Sequence, residues 1–136
     1  MTVGGDRLEY PYESASPAAS LLETKILINS VISDSKNGAR FYTMDIKDFF
    51  LQTIIKTPEY MRIHSRYFTQ QIKQKYNIDN KVAEDNYVYC KIIRGMYGLK
   101  QAARLVYDLL KSRLLPFGYY PDNICPNMWK HKSRRI

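Results

Sequence analysis

Asp45 is the carboxylate of this chain most able to do chemistry, because of where the sequence delivers it. It stands at the end of a β-patterned run, Phe41, Tyr42, Thr43 and Met44. Period-two alternation puts Phe41, Thr43 and Asp45 on one face and Tyr42, Met44 and Ile46 on the other. Carboxylates are depleted within strands and costly to bury unpaired, so an acid at such a boundary needs water, a cation or a metal. A solvated strand end is the plain alternative. A second chemically suggestive stretch is 95–104, where Gly95 and Gly98 precede a helical pattern that carries Lys100, Gln101 and Arg104. Glycines there let the backbone turn tightly or approach a ligand, and they are also ordinary helix punctuation. Cys90 and Cys125 are far apart with no CxxC pair, and two histidines cannot complete a zinc pattern.

The surrounding pattern predicts the elements that must hold these residues. A short strand is expected over 7–10, stopped by Pro11. Ser16-Pro17 reads as a cap and first helical residue, and the spacing of Ala18, Leu22 and Ile26 and of Leu21, Ile28 and Ile32 predicts a buried helix over 17–32. A polar loop over 34–38 leads to the run ending at Asp45. Thr57-Pro58 should break the chain before a strand over 60–63, followed by an amphipathic helix over 65–76 and a polar loop over 77–86. Residues 87–93 are β-rich. From Leu99 an apolar stripe through Ala102, Ala103, Val106, Leu109, Leu110 and Leu114 is the clearest helix, ended by Pro116 and Gly118. Residues 119–127 read as extended loop, 128–131 as a short strand and 134–136 as the start of a returning strand.

With 136 residues the chain has room for one domain, and 45% hydrophobic and 13% aromatic content excludes a disordered polymer. The net charge of +8 makes a polyanionic partner plausible. No run reaches the roughly 20 apolar residues of a membrane span, and the N-terminus carries no signal pattern. A cytoplasmic or nuclear location is the expectation, without a membrane.

Two segments carry a family resemblance. Asp45-Ile46-Lys47-Asp48-Phe49-Phe50-Leu51 resembles the first catalytic motif of copia-type retrotransposon reverse transcriptases. Gly95-Met96-Tyr97-Gly98-Leu99-Lys100-Gln101-Ala102-Ala103-Arg104 resembles a second motif of that family, in the same order. Phe49, Ala103 and Leu105-Val106 depart from the pattern, where the family has a small residue, proline and Ala-Trp. The resemblance implies an α+β fold, a partial fingers-palm with an antiparallel sheet packed against two to three helices. The fingers-like part would be 1–38 and the palm-like part 39–136.

It also implies RNA-directed DNA polymerisation by two-magnesium nucleotidyl transfer, with an RNA template, a DNA primer and deoxynucleoside triphosphates as partners. Asp45 would be a magnesium ligand, joined by the carbonyl of Ile46. The amides of Asp48 and Phe49 would face the triphosphate, and Phe50 would lie under the deoxyribose, the alternative being a plain core aromatic. Tyr97 and Gly98 would approach the nucleotide, and Lys100, Gln101 and Arg104 the template or nucleotide. The family's adjacent aspartate pair is absent from the sequence, so the chain is expected to be a truncated piece that is inactive alone. A non-catalytic nucleic-acid-binding remnant and a small structural or protein-interaction domain are the competing expectations.

Overall fold

β1, Ile54–His64, and β2, Tyr87–Arg94, pair antiparallel because both are rich in β-branched and aromatic residues. The register sets Glu59 opposite Ile92, Met61 opposite Cys90 and Ile63 opposite Val88. Between Ile54 and Glu59 the register shifts, and Pro58 sits inside that irregularity. Proline has no N–H to give a ladder, so a bulge is where a strand can keep it. Pro58 therefore does not delay the strand to Tyr60, as the sequence pattern predicted; β1 begins at Ile54 and absorbs it.

The computed structural model describes residue 4 and residues 8–134, which form an α+β fold with two small antiparallel sheets. Its core is small. Ile55, Ile92, Leu99 and Ala102 are buried together, with Leu8, Phe50, Met61, Met96 and Leu105 packed against them. Of the helical stripe predicted from Leu99, Leu99 and Ala102 enter this core, with Leu105 beside them, while Ala103 is exposed. The helix itself, α3 here for its place in the chain, is Ala102–Leu114, and a 3-10 turn, Leu115–Phe117, follows it and ends at Gly118 with φ 85°. The sheet and α3 thus share one apolar seam.

Among the described residues two α-helices precede α3. The first, α1, is Leu21–Ser33, and its cap is Ser20 rather than Ser16. The Ser20 hydroxyl accepts from the Glu23 amide at 3.2 Å while Glu23 Oε2 accepts from the Ser20 amide at 2.7 Å, a reciprocal capping box. Glu23 at the third helical position selects that start over Ser16-Pro17. The expectation of a buried helix fails: Leu21 and Ile32 are 71% and 65% exposed, and no residue of α1 is buried. Helical spacing identifies an apolar face but does not supply the surface that covers it. The predicted 65–76 helix divides into a 3-10 turn, Ser65–Tyr67, and α2, Gln70–Tyr76, capped by the Thr69 hydroxyl.

The expected extended loop over 119–127 begins with a strand, and the strand expected over 128–131 pairs with it as a hairpin. β3, Tyr119–Pro121, pairs antiparallel with β4, Trp129–His131. Asp122 closes the loop by accepting from the amides of Ile124 and Cys125 and by pairing with Lys130. These short-range polar contacts make strands from residues with no long β pattern. Tyr107 of α3 donates to the Pro126 carbonyl at 3.3 Å, and Asn127 donates to Glu23 Oε2 at 2.9 Å, which ties the hairpin to both helices. Residues 8–10 form no strand, and the predicted strand's Arg7 lies outside the described residues, as do Arg135 and Ile136 of the expected returning strand. Among the described residues no helix is long and apolar enough to cross a membrane.

The hairpin should loosen in acid. Hydrogen bonds from the Ser20 amide and hydroxyl and from Asn127 hold the Glu23 carboxyl at about 2, below its ordinary 4.5. The Lys130 ammonium and two amides hold Asp122 at about 2, below 3.8. Groups depressed on folding stabilise the fold above their unfolded values and lose that contribution as pH falls through the folded ones. Fluorescence of Trp129, the single tryptophan, should stay flat from neutrality to about pH 5 and change between about pH 4.5 and 2. A transition centred above pH 5 would contradict this assignment.

Candidate functional site

The chain turns sharply after Lys47. Asp48 has φ 53°, in the left-handed region, and Phe49 follows with φ −59° and ψ −40°. Aspartate tolerates that conformation better than most side chains. Successive left- and right-handed residues aim their amides into one concavity, a geometry that favours anions. Among the described residues the Asp48 and Phe49 amides have no backbone acceptor. A 3-10 turn, Phe50–Gln52, continues the chain. Gln52 Nε2 donates to the Lys47 carbonyl at 2.9 Å, and the Phe50 carbonyl accepts from both the amide and the hydroxyl of Thr53, at 3.0 and 2.8 Å.

The second segment closes against this turn. Gly95 donates to the Thr53 carbonyl at 3.2 Å, and a Cβ at Gly95 would stand 2.7 Å from the Phe50 carbonyl oxygen and strike the Thr53 hydroxyl. Only a residue without a side chain permits that approach. The chain beyond carries Tyr97 onto Phe50, ring centroids 4.3 Å apart and planes at 45°. Together with Asp48, Leu51 and Met96 the two rings line a cavity of about 290 Å³. Gly98, at φ 95°, then turns the backbone towards Leu99 and the start of α3.

The remaining residues singled out in the sequence are placed less alike. Asp45 and Ile46 are exposed and lie in a segment without regular structure, so the predicted strand over 41–44 does not form. A strand needs a partner for its amides and carbonyls, and 41–46 pairs with no strand among the described residues. Asp45 makes no ion pair among those residues. Phe49 is half-buried, with the Arg113 guanidinium 5.9 Å from its ring centre. Lys100 is exposed. Arg104 is held by Glu13 at 3.1 Å and Asp108 at 3.3 Å, while Gln101 is buried and reaches Glu59. Lys130 is engaged by Asp122.

Magnesium requires several oxygen ligands, and two ions require shared carboxylates. Among the described residues no three His, Cys, Asp or Glu side chains converge. Asp45 with the Ile46 carbonyl supplies part of a ligand set, so these residues alone do not fit a two-magnesium centre. The sequence pattern also passed over Tyr10, Tyr12 and Lys56, which line a second cavity beside Gln101. Alternation across Pro11 was the available signal, since residues two apart in extended chain share a side. No family model matches the chain, and no curated protein or solved structure matches it.

Gly95→Ala should cost about 1–3 kcal/mol of stability, the range for forcing an extra carbon into a packed site. Thermal melting measures the loss, and nuclear Overhauser contacts between the Phe50 and Tyr97 rings should disappear with it. A variant that melts like the parent and keeps those contacts would show that the backbone can give way there.

Proposed function

We propose that this chain is the fingers-palm part of a retrotransposon-type reverse transcriptase, acting on nucleic acid and deoxynucleoside triphosphates in the cytoplasm or nucleus. The observation that carries the reading is the closure of the second motif on the first. Phe50 and Tyr97, distant in sequence and each inside a segment resembling that family, meet at 4.3 Å over a cavity beside the Asp48 turn. The unused amides of that turn suit a triphosphate, and Phe50 offers a flat surface for a sugar. In the complete enzyme Asp45 would contribute one carboxylate to the magnesium ions, which supply charge stabilisation during phosphoryl transfer. The other acids would come from polypeptide outside these 136 residues. A non-catalytic nucleic-acid-binding role is the second reading, favoured by the lack, among the described residues, of any three converging His, Cys, Asp or Glu side chains.

Primer extension separates them. The 136-residue chain should extend no primed template with magnesium, because one carboxylate cannot hold two ions in the geometry of in-line displacement. A longer polypeptide that adds an aspartate-pair hairpin should extend it, and Asp45→Asn there should abolish extension with the melting temperature unchanged. Extension by the short chain would show that the active site is assembled without the missing acids, and full activity of the long Asp45→Asn variant would remove Asp45 from it. In the same long polypeptide Phe50→Val should raise ribonucleotide use relative to deoxynucleotide use, and unchanged discrimination in a folded variant would remove Phe50 from the sugar site.

Binding of single-stranded RNA or DNA by the short chain should be weak, independent of sequence and steeply weakened by salt, since it rests on phosphate neutralisation by a +8 protein. Absence of binding at low ionic strength in a filter or anisotropy titration would count against both readings.

A further inference from the structure

The outward face of the β1–β2 ladder is built from rings and cations. Side chains alternate across a strand, and residues directly opposite each other share a face. Met61, Val88 and Ile92 take the side towards the core, where the last two are buried. The other side receives three rungs: Tyr60 opposite Lys91, Arg62 opposite Tyr89, and His64 opposite Tyr87. No aliphatic or acidic side chain stands on these rungs. Glu59 belongs to the opposite face, where it meets Gln101. Tyr60 and Tyr89 are 68% and 61% exposed. Arg62 and Lys91 are exposed too, and they make no ion pair among the described residues.

Local contacts hold this face in shape. The Arg62 guanidinium lies 4.8 Å from the centre of the Tyr87 ring, and the His64 ring meets Tyr87 edge to face at 5.1 Å. Beside the rungs, Asp85 accepts from the Tyr89 hydroxyl at 2.8 Å and from the Tyr87 amide at 3.0 Å, which pins the Tyr89 ring. Tyr87 is thereby covered, whereas Tyr60 and Tyr89 stack on no ring or cation among the described residues. As diagonal neighbours across the ladder these two stand ~7–8 Å apart, about twice the ~3.4 Å step of a stacked strand. Adjacent bases of an extended strand can therefore meet both rings, with Arg62 and Lys91 beside them for the phosphates. An acidic peptide answers the cations but offers nothing to the rings, and the bases of a duplex are already stacked on each other. We infer that this face binds one unpaired nucleic-acid strand, two successive bases on Tyr60 and Tyr89 and their phosphates on Arg62 and Lys91. Stacking on rings reads no base code, so RNA and DNA of any sequence fit alike. The inference rests on the nucleic-acid readings above for the class of partner and adds the surface and the strandedness. It uses no residue of the two segments that resemble the polymerase family.

Anisotropy titration of the 136-residue chain with a deoxythymidine octanucleotide, at low salt and without magnesium, tests it. A strand of the same length with every base removed should bind about tenfold more weakly, the scale of one stacked base. A DNA hairpin with as many phosphates should also bind more weakly than the open strand although its charge is denser, and an octaglutamate peptide more weakly still. Tyr60→Leu and Tyr89→Leu should each cost about tenfold at an unchanged melting temperature, whereas Tyr89→Phe keeps the ring and should bind like the parent. Lys91→Gln should lower the slope of log affinity against log salt by about 0.7, the share of one phosphate in a single strand. Lys36→Gln, which removes the same charge in the turn after α1, should leave that slope as it is. The base-free strand needs no variant, so a folding defect cannot obscure its result. No binding of the octanucleotide would overturn this surface together with the nucleic-acid readings. Equal binding of the base-free strand, the hairpin or the peptide, or parent affinity in both leucine variants, would overturn the surface alone and leave those readings with a diffuse field of charge.

Discussion

The approach of Gly95 to the Phe50 carbonyl is the constraint on which the arrangement depends. It continues the β1–β2 ladder past the Ile54–Arg94 pair through the Gly95–Thr53 hydrogen bond. That bond fixes where the chain leaves the sheet, and the exit fixes both the position of Tyr97 and the direction in which Leu99 and Ala102 enter the core. Thr53 is buried and spends its amide, hydroxyl and carbonyl in the same contact. A backbone junction with every polar group paired is stiff, which is how two short loops can present facing rings without a large core beneath them.

Charge is organised differently. The cations nearest to carboxylates are already spent: Arg104 on Glu13 and Asp108, Lys130 on Asp122, Lys73 on Asp79. Most of these pairs are solvent-exposed and add little to stability. Their effect is to remove particular side chains from the set that can meet a phosphate directly. The excess of 21 basic over 13 acidic residues remains as a field over the whole surface, which attracts a polyanion without fixing its register.

Parts of this structure are legible in the sequence because one segment suffices to decide them. The β-rich 87–93 run becomes β2, and the stripe from Leu99 becomes α3, ended as Gly118 foretells. Features that depend on a distant partner are not. Residues 41–44 alternate like a strand but find no neighbour, α1 has a periodic apolar face but nothing over it, and Pro58 is tolerated only because a bulge surrounds it. In the hairpin 119–131 the second strand is legible, since residues 128–131 read as β4, whereas β3 is hidden because the side-chain contacts of Asp122 and Lys130 replace β pattern. At the site, the nearness of Phe50 and Tyr97 follows from two motifs lying in order, whereas the burial of Gln101 follows from its N-terminal place on α3, where it turns under β1 towards Glu59.

α1 carries its own start signal and buries none of its residues, and its polar tie to the rest of the chain runs through Glu23 and Asn127, separated by 104 positions. Its free energy is therefore only weakly coupled to that of the Ile55–Ile92 core. A segment so attached opens by itself, and its amides exchange with solvent through that local event rather than through global unfolding. Deuterium labelling would resolve the protein into two kinetic classes, with α1 the fast one and β1, β2 and α3 the slow one. The polypeptide thus contains one cooperative unit and a semi-autonomous helix, and a single unfolding free energy describes only the first.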